Sequence, residues 1–161
     1  MSSDLPSESF KVLYERHFDM VYRICYMYLK NKADTEDAVH TTFLKLLEAE
    51  KTFQNAEHEK AWLIRVSSNV CKNMINHWSR KPSLIEEGES IPVCDYHDET
   101  LMAVCNLPDN LKTVIYLYYY EGYDSIQIGK MLRITSSAVR NRLKRAKEQL
   151  KDILTDKEDN K

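Results

Sequence analysis

Val139, Leu143, Ala146, Leu150 and Leu154 recur at steps of four, three, four and four residues. Only a helix keeps such a series on one face. The same steps run through most of the chain. Phe10, Leu13, Phe18, Val21, Ile24, Cys25 and Tyr28 mark a first helix reaching Leu29, and Val39, Phe43, Leu46 and Leu47 mark a second. The second is expected to start at Asp34 as N-cap, with Asp37 in its first turn, and to run to Glu50. A polar loop, Lys51 to Glu57, precedes a third helix from Glu59 to Arg80, striped by Leu63, Val66, Val70 and Met74 and flanked by Trp62 and Trp78. Three glycines and four prolines in 161 residues exclude a collagen-like, loop-rich or all-β chain. They also leave no Gly-rich phosphate loop. With 43% hydrophobic residues a core is affordable, so the expected class is all-α.

The net charge of −2 argues, taken whole, against nucleic acid. Divided along the chain it reads differently. Residues 1–81 carry +1, 82–124 carry −8, 125–154 carry +6 with eight bases against two acids, and 155–161 carry −1. A basic block at helical spacing is a phosphate-binding surface in outline. From Pro82 to Glu99 there are two prolines, Gly88, six acids and no Lys or Arg. That stretch reads as a flexible acidic tether between two small helical domains. The expected division is 8–81, a linker at 82–99, 100–154, and a polar tail at 155–161. Eighteen extended residues reach about 60 Å, or about 17 base pairs of B-form rise.

No run approaches the roughly 18 to 20 apolar residues of a membrane span. Met1 to Pro6 is polar and lacks the basic-then-apolar pattern of a signal peptide. A cytoplasmic location is the expectation, with Cys25, Cys71, Cys94 and Cys105 as reduced thiols.

Two helices carry the chemistry. On the third, Arg65, Asn69, Lys72, Asn76 and Arg80 share a face, and Asn69, Asn73 and Asn76 all stand mid-helix although Asn forms helices poorly. Amides there suit base edges or splayed bases; an ordinary solvated face is the competing account. In the C-terminal part, Leu107-Pro108-Asp109 opens a helix with Pro in its first turn. Its apolar positions are Leu111, Val114, Ile115 and Tyr118, and Gly122 is placed to end it. The tyrosines Tyr116, Tyr118, Tyr119, Tyr120 and Tyr123 pack between helices or, alternatively, stack on bases. Asp124 and Gln127 form a capping box for a short helix, Ser125 to Leu132. The turn Arg133-Ile134-Thr135 follows, and Thr135 caps the last helix.

Two helices joined by a tight turn, the second cationic outside, form a helix-turn-helix. Ser136, Ser137, Arg140, Asn141 and Lys144 then face base edges, and Arg142, Arg145 and Lys147 lie nearer phosphates or the supporting side. Arg pairs with guanine and Asn with adenine in bidentate fashion.

At this point the chain resembles the extracytoplasmic-function (ECF) sigma factors of bacterial RNA polymerase, over residues 8–154. Thr35-Glu36-Asp37-Ala38-Val39 with Phe43-Leu44 is similar to that family's AEDLVQEVFL stretch, and Trp62-Leu63-x-x-Val66-Ser67-x-Asn69 to its WLxxIAxN signature. Leu107-Pro108, Glu121-Gly122-Tyr123, Ile128, Ile134, Val139, Arg142-Leu143 and Arg145-Ala146 follow its region for upstream promoter reading. His40 and Thr41 depart from the family's Gln-Glu, Asn73 from an Asp, Gly129 from an Ala, and Arg133 from the turn glycine.

The resemblance implies two all-helical domains that bind core RNA polymerase and promoter DNA and start transcription. Asp37, His40, Thr41, Phe43 and Leu44 would hold the polymerase clamp, with a second contact to the flap. The loop run Phe53-Gln54-Asn55-Ala56 would hold a flipped base of the minus-ten element, and Arg65, Asn69, Lys72, Asn73 and Asn76 would meet the melted DNA. Ser136, Ser137, Arg140, Asn141, Lys144 and Arg145 would read the minus-thirty-five element. The tether's carboxylates would occupy a basic channel or serve as a passive linker. The resemblance also implies an inhibitory anti-sigma factor as a partner, and no stable homo-oligomer, cofactor or metal is expected.

An enzyme is a poor rival. The nearest approach to a di-iron Glu-x-x-His motif is a single Asp37-x-x-His40, and Cys94-x-x-His97 with Cys105 is at most half a zinc site. A free-standing helix-turn-helix regulator explains residues 107–154 equally well, but leaves the Trp62–Asn69 run and the second helix without a purpose.

Overall fold

The computed structural model describes residues 5–49, 53–80 and 99–159. These are helical, without a strand among the described residues. They form two compact units divided between Pro92 and Val93. The acidic stretch read as a tether lies, up to Asp98, outside the described residues.

The first unit is α1 (Leu5–Leu29), α2 (Lys32–Ala49) and α3 (Ala56–Arg80), each packed on the other two. The C-terminal half of α1 is its centre: Val21, Ile24, Cys25 and Met27 are fully buried, and Tyr26, Tyr28 and Leu29 nearly so. Phe10, Leu13 and Phe18 are only half-buried, at the other end of α1. Lys30 stops the helix in the left-handed region, at φ 61°.

The cap of α2 is Asn31, not Asp34. The Asn31 side-chain oxygen accepts the Asp34 N–H at 2.8 Å, while its amide nitrogen donates to the Asp34 carboxylate at 2.6 Å. Asp34 therefore sits inside the first turn, where an acid meets the positive helix end. Asn55 likewise caps α3, accepting the His58 N–H at 2.8 Å, so that helix begins at Ala56 rather than Glu59.

The buried face of α2 is Thr35, Ala38, Val39, Thr42, Phe43 and Leu46, and the expected Leu47 is exposed. On α3 the buried face is wider than the expected stripe. Leu63, Ile64, Ser67, Ser68, Val70 and Cys71 are buried, while Val66 and Met74 are half-buried. The hydroxyls enter the core because each bonds a carbonyl one turn back: Thr42 to Ala38 at 2.8 Å, Ser67 and Ser68 to Ile64 at 3.1 and 2.7 Å. A hydroxyl so satisfied carries little desolvation cost. Cys25 and Cys71 are neighbouring buried thiols. The hydrogen bond to Cys71, then burial, pushes the Cys25 thiol far above its ordinary pKa.

The second unit is α4 (Glu99–Cys105), α5 (Asp109–Tyr119), α6 (Ser125–Leu132) and α7 (Ser136–Asp159). Periodicity did not reveal α4, whose Ala103, Val104 and Cys105 pack inward against α5 and α7. Pro108 is the N-cap of α5 rather than a first-turn residue. Gly122, at φ 75°, turns the chain after α5 so that the Tyr123 N–H reaches the Leu117 carbonyl at 3.1 Å. α7 packs on all three other helices and continues past Leu154 to Asp159, into residues the sequence treats as a tail. Tyr116 and Tyr123 are core residues, whereas Tyr118 and Tyr119 are exposed.

Candidate nucleic-acid interface

The turn between α6 and α7 sets where a basic face is presented. The capping box forms as expected: Asp124 accepts the Gln127 N–H at 2.8 Å, and the Gln127 side chain accepts the Asp124 N–H at 3.0 Å. α6 ends as Arg133 enters the left-handed region, φ 60° and ψ 42°, the positive φ that a turn glycine would serve. The Ile134 N–H then bonds back to the Gly129 carbonyl at 2.9 Å. A Cβ on residue 129 would stand 2.8 Å from the Ile134 oxygen, so glycine permits the close approach of turn to helix. Thr135 caps α7, its hydroxyl accepting the Ala138 N–H at 3.1 Å.

Val139, Leu143 and Ala146 hold α7 in the core. Turned away from them, Ser137, Arg140, Asn141 and Lys144 are exposed in one row over the first turns. Arg145 is exposed beside that row; Ser136 and Arg142 are half-buried. The first turn carries no acid, so the helix's positive end adds to the cationic field. On the α7 side toward α5, the Lys147 ammonium lies 5.6 and 5.8 Å from the Tyr118 and Tyr119 ring centres. Those tyrosines thus make cation–π contacts. A groove of about 420 Å³ opens there, with Val104, Ile115, Leu150 and Leu154 as apolar lining and Lys147 and Lys151 as cations.

In the first unit, Asn69, Lys72, Asn73 and Asn76 form an exposed row on α3, with Arg65 half-buried one turn earlier. The loop before α3 is tied to that helix: the Phe53 ring lies 5.6 Å from His58 and 5.9 Å from Trp62. Gln54 and Asn55 are exposed, though the Asn55 oxygen is committed to the cap. Lys51 and Thr52 lie outside the described residues.

On α2 a third row, Asp37, His40, Thr41 and Leu44, is exposed, with Leu44 43% accessible. Phe43 does not belong to it. Its ring is 2% accessible and meets Tyr14 at 4.7 Å and Phe10 at 6.2 Å, so it holds α2 to α1. Sequence reading also missed a buried polar pair: His17 Nε2 and Glu59 Oε1 lie 2.5 Å apart, with an Arg16 guanidinium nitrogen 3.5 Å from the same oxygen. Cys94 and His97, half of the zinc alternative, lie outside the described residues, and Cys105 is buried in α4.

The sigma-70 region 2 family model matches residues 13–81, and the sigma-70 region 4 model matches residues 97–150. The chain belongs to the sigma-70 family of RNA polymerase sigma factors, in its ECF group. Region 2 holds the α2 and α3 rows; region 4 holds the helix-turn-helix. The ECF RNA polymerase sigma factor SigE of Mycolicibacterium smegmatis is 30% identical over 91% of this chain and 62% of its own length. SigX of Bacillus subtilis, also an ECF sigma factor, is 24% identical over 83% of this chain and 77% of its own. Among solved structures, the sigma factor RpoE of Bartonella quintana, in complex with the anti-sigma factor NepR, superposes with a TM-score of 0.76. It is 17% identical, and the match covers 92% of this chain and 98% of that one. CnrH, solved with the cytosolic domain of CnrY, gives 0.64 at 18% identity, over 92% and 89%. At these identities the two structures speak for the fold. The region 2 match occupies the part of the chain that a free-standing regulator leaves unexplained, and that alternative is not favoured.

Proposed function

We propose that this sigma factor docks on core RNA polymerase through the exposed α2 row, melts the minus-ten element with α3 and its preceding loop, and reads the minus-thirty-five element with α7. The observation that carries the reading is the row Ser137, Arg140, Asn141 and Lys144, on a helix start left bare of acids. A helix in the major groove presents its N-terminal half to base edges. Arg140 and Asn141 then supply bidentate donors, and Lys144 and Arg145 answer phosphates.

On α3 the amide row takes the unwound strand, and the loop at Phe53 and Gln54 takes a base turned out of the stack. Asp37, His40, Thr41 and Leu44 form the clamp contact, and the groove beside Lys147 forms the flap contact. Residues 82–99 act as the tether between the two DNA contacts.

The chain works by binding and positioning rather than by bond chemistry, so it is not an enzyme. It acts in the cytoplasm as a monomer; no described helix is long and apolar enough to cross a membrane. An anti-sigma factor fits as its inhibitor, by analogy with the complexes of its structural relatives. Run-off transcription on a promoter pool, with purified chain and core polymerase, tests the whole reading. Specific initiation that depends on this chain is expected; failure to bind core polymerase overturns it.

A further inference from the structure

Glu59 is 8% accessible and His17 5%, in a unit whose core is otherwise apolar or hydroxyl-lined. Removing a carboxylate from water costs several kcal/mol unless a partner meets it closely. An apolar pair of similar volume is often as stable, so the polar pair's distinctive contribution is direction: it fixes one register between two elements. The elements here are α1 and the first turn of α3.

That turn is where the loop is fastened. The Glu59 N–H donates to the Asn55 carbonyl at 3.2 Å, the Asn55 side chain caps His58, and the Phe53 ring lies against His58 and Trp62. At the other end, α1 carries Phe10 and Tyr14 against Phe43 of α2. α1 therefore joins α2, whose opposite face is the proposed polymerase contact, to the turn of α3 that fastens the proposed base-capturing loop.

We propose that the buried His17–Glu59 pair is the joint that holds the loop in register with α1, and that it governs promoter melting rather than polymerase or duplex binding. His17 and Glu59 are positioning residues: they act on DNA through Phe53 and Gln54. This inference rests on the reading of that loop as the base pocket.

The test uses full-length chain with core polymerase and a promoter carrying 2-aminopurine in the minus-ten element, well below the unfolding temperature. For Glu59→Ala the fluorescence rise that reports base unstacking is expected to slow about 10- to 100-fold, the size of effect a misplacement near 1 Å produces. Core affinity and binding to minus-thirty-five duplex should not change, a split that general destabilisation would not give. Glu59→Gln, which keeps an acceptor for the His17 N–H, should restore most of the rate. Melting at the unaltered rate in Glu59→Ala overturns the proposal. If that variant does not fold, His17→Gln and His17→Asn decide. Gln sets an amide nitrogen near the place of Nε2 and Asn withdraws it, so melting should survive only in His17→Gln; equal rates overturn the proposal. Gln54→Ala separates the two layers. If it leaves melting intact, the loop reading has failed; if it slows melting while Glu59→Ala does not, the joint has failed.

Discussion

Replacing Gly129 with Ala restores the residue usual in the family, yet here it should harm the fold. A Cβ at that position meets the Ile134 oxygen at 2.8 Å, the Ser136 nitrogen at 3.4 Å and the Thr135 carbonyl carbon at 3.5 Å. All three are backbone atoms of the turn, and none can rotate away as a side chain would. Ordinary contact begins near 3.4 Å, so the turn must retreat by a few tenths of an ångström from α6. The Ile134 N–H bond to the Gly129 carbonyl, at 2.9 Å, opposes that retreat. Overpacking of this kind costs about 1–3 kcal/mol. Ala gains back about 1 kcal/mol of helix propensity over Gly. The net loss should be about 1 kcal/mol, which lowers the unfolding temperature of a unit this small by about 4–8 °C. Arg133→Gly should do the reverse, stabilising by about 1 kcal/mol because the left-handed backbone at φ 60° suits glycine. A relaxed turn also yields more readily, so the loss from Gly129→Ala should shrink in the double variant. Both tryptophans, Trp62 and Trp78, lie in the first unit. Hydrogen exchange across residues 125–150 is therefore the assay for the second. Slower exchange in Gly129→Ala than in the unaltered chain, or strict additivity with Arg133→Gly, refutes the reasoning.

Arg140→Ala or Asn141→Ala should each cost about 1–3 kcal/mol at particular upstream bases, whereas Lys144→Ala should weaken all sequences alike and lower the salt slope by about one; binding titrations on a base-substituted duplex series at two salt concentrations decide, and uniform loss for Asn141→Ala would place it on phosphate. Leu44→Asp should lower affinity for core polymerase about tenfold, near 1.4 kcal/mol, without moving the melting curve, since Leu44 is exposed; unaltered affinity would remove α2 from the polymerase contact. The raised Cys25 pKa gives a pH dependence of known sign. In the unfolded chain the thiol ionises near pH 8.5 while the folded form keeps its proton, so stability is full below about pH 8.5 and falls above it by up to about 1.4 kcal/mol per pH unit. Denaturant titrations of the unaltered chain and Cys25→Ala between pH 7 and 10 should show a shallower alkaline fall for the variant.

The parts legible in the sequence are those decided by residues a few positions apart. The capping box at Asp124 and Gln127 and the Thr135 cap depend on local backbone and nearby side chains, and both stand where the sequence places them. The cap of α2 and the start of α3 differ from the expected Asp34 and Glu59 because Asn31 and Asn55 compete with acids three to four residues on; geometry chose the amide that lies at the non-helical residue. α4 was missed because seven residues carry too few turns to show a period. The His17–Glu59 pair spans 42 positions, and nothing near either residue announces the other.

Buried faces were legible only as far as apolar residues mark them. On α7 they do, and fixing Val139, Leu143 and Ala146 in the core also fixes the row half a turn away. On α2 and α3, Thr35, Thr42, Ser67 and Ser68 enter the core after bonding the preceding turn, so apolar spacing alone described those faces incompletely. The Asn69–Asn76 row survived that error for a physical reason. A hydroxyl can satisfy itself on its own helix one turn back, as these four do. An Asn amide carries two donors and an acceptor, more than one backbone carbonyl can meet. Mid-helix serine and threonine are thus compatible with burial, while an asparagine row is driven outward to water or to a polar partner. On this chain that difference separates the core of α3 from the face proposed to meet DNA.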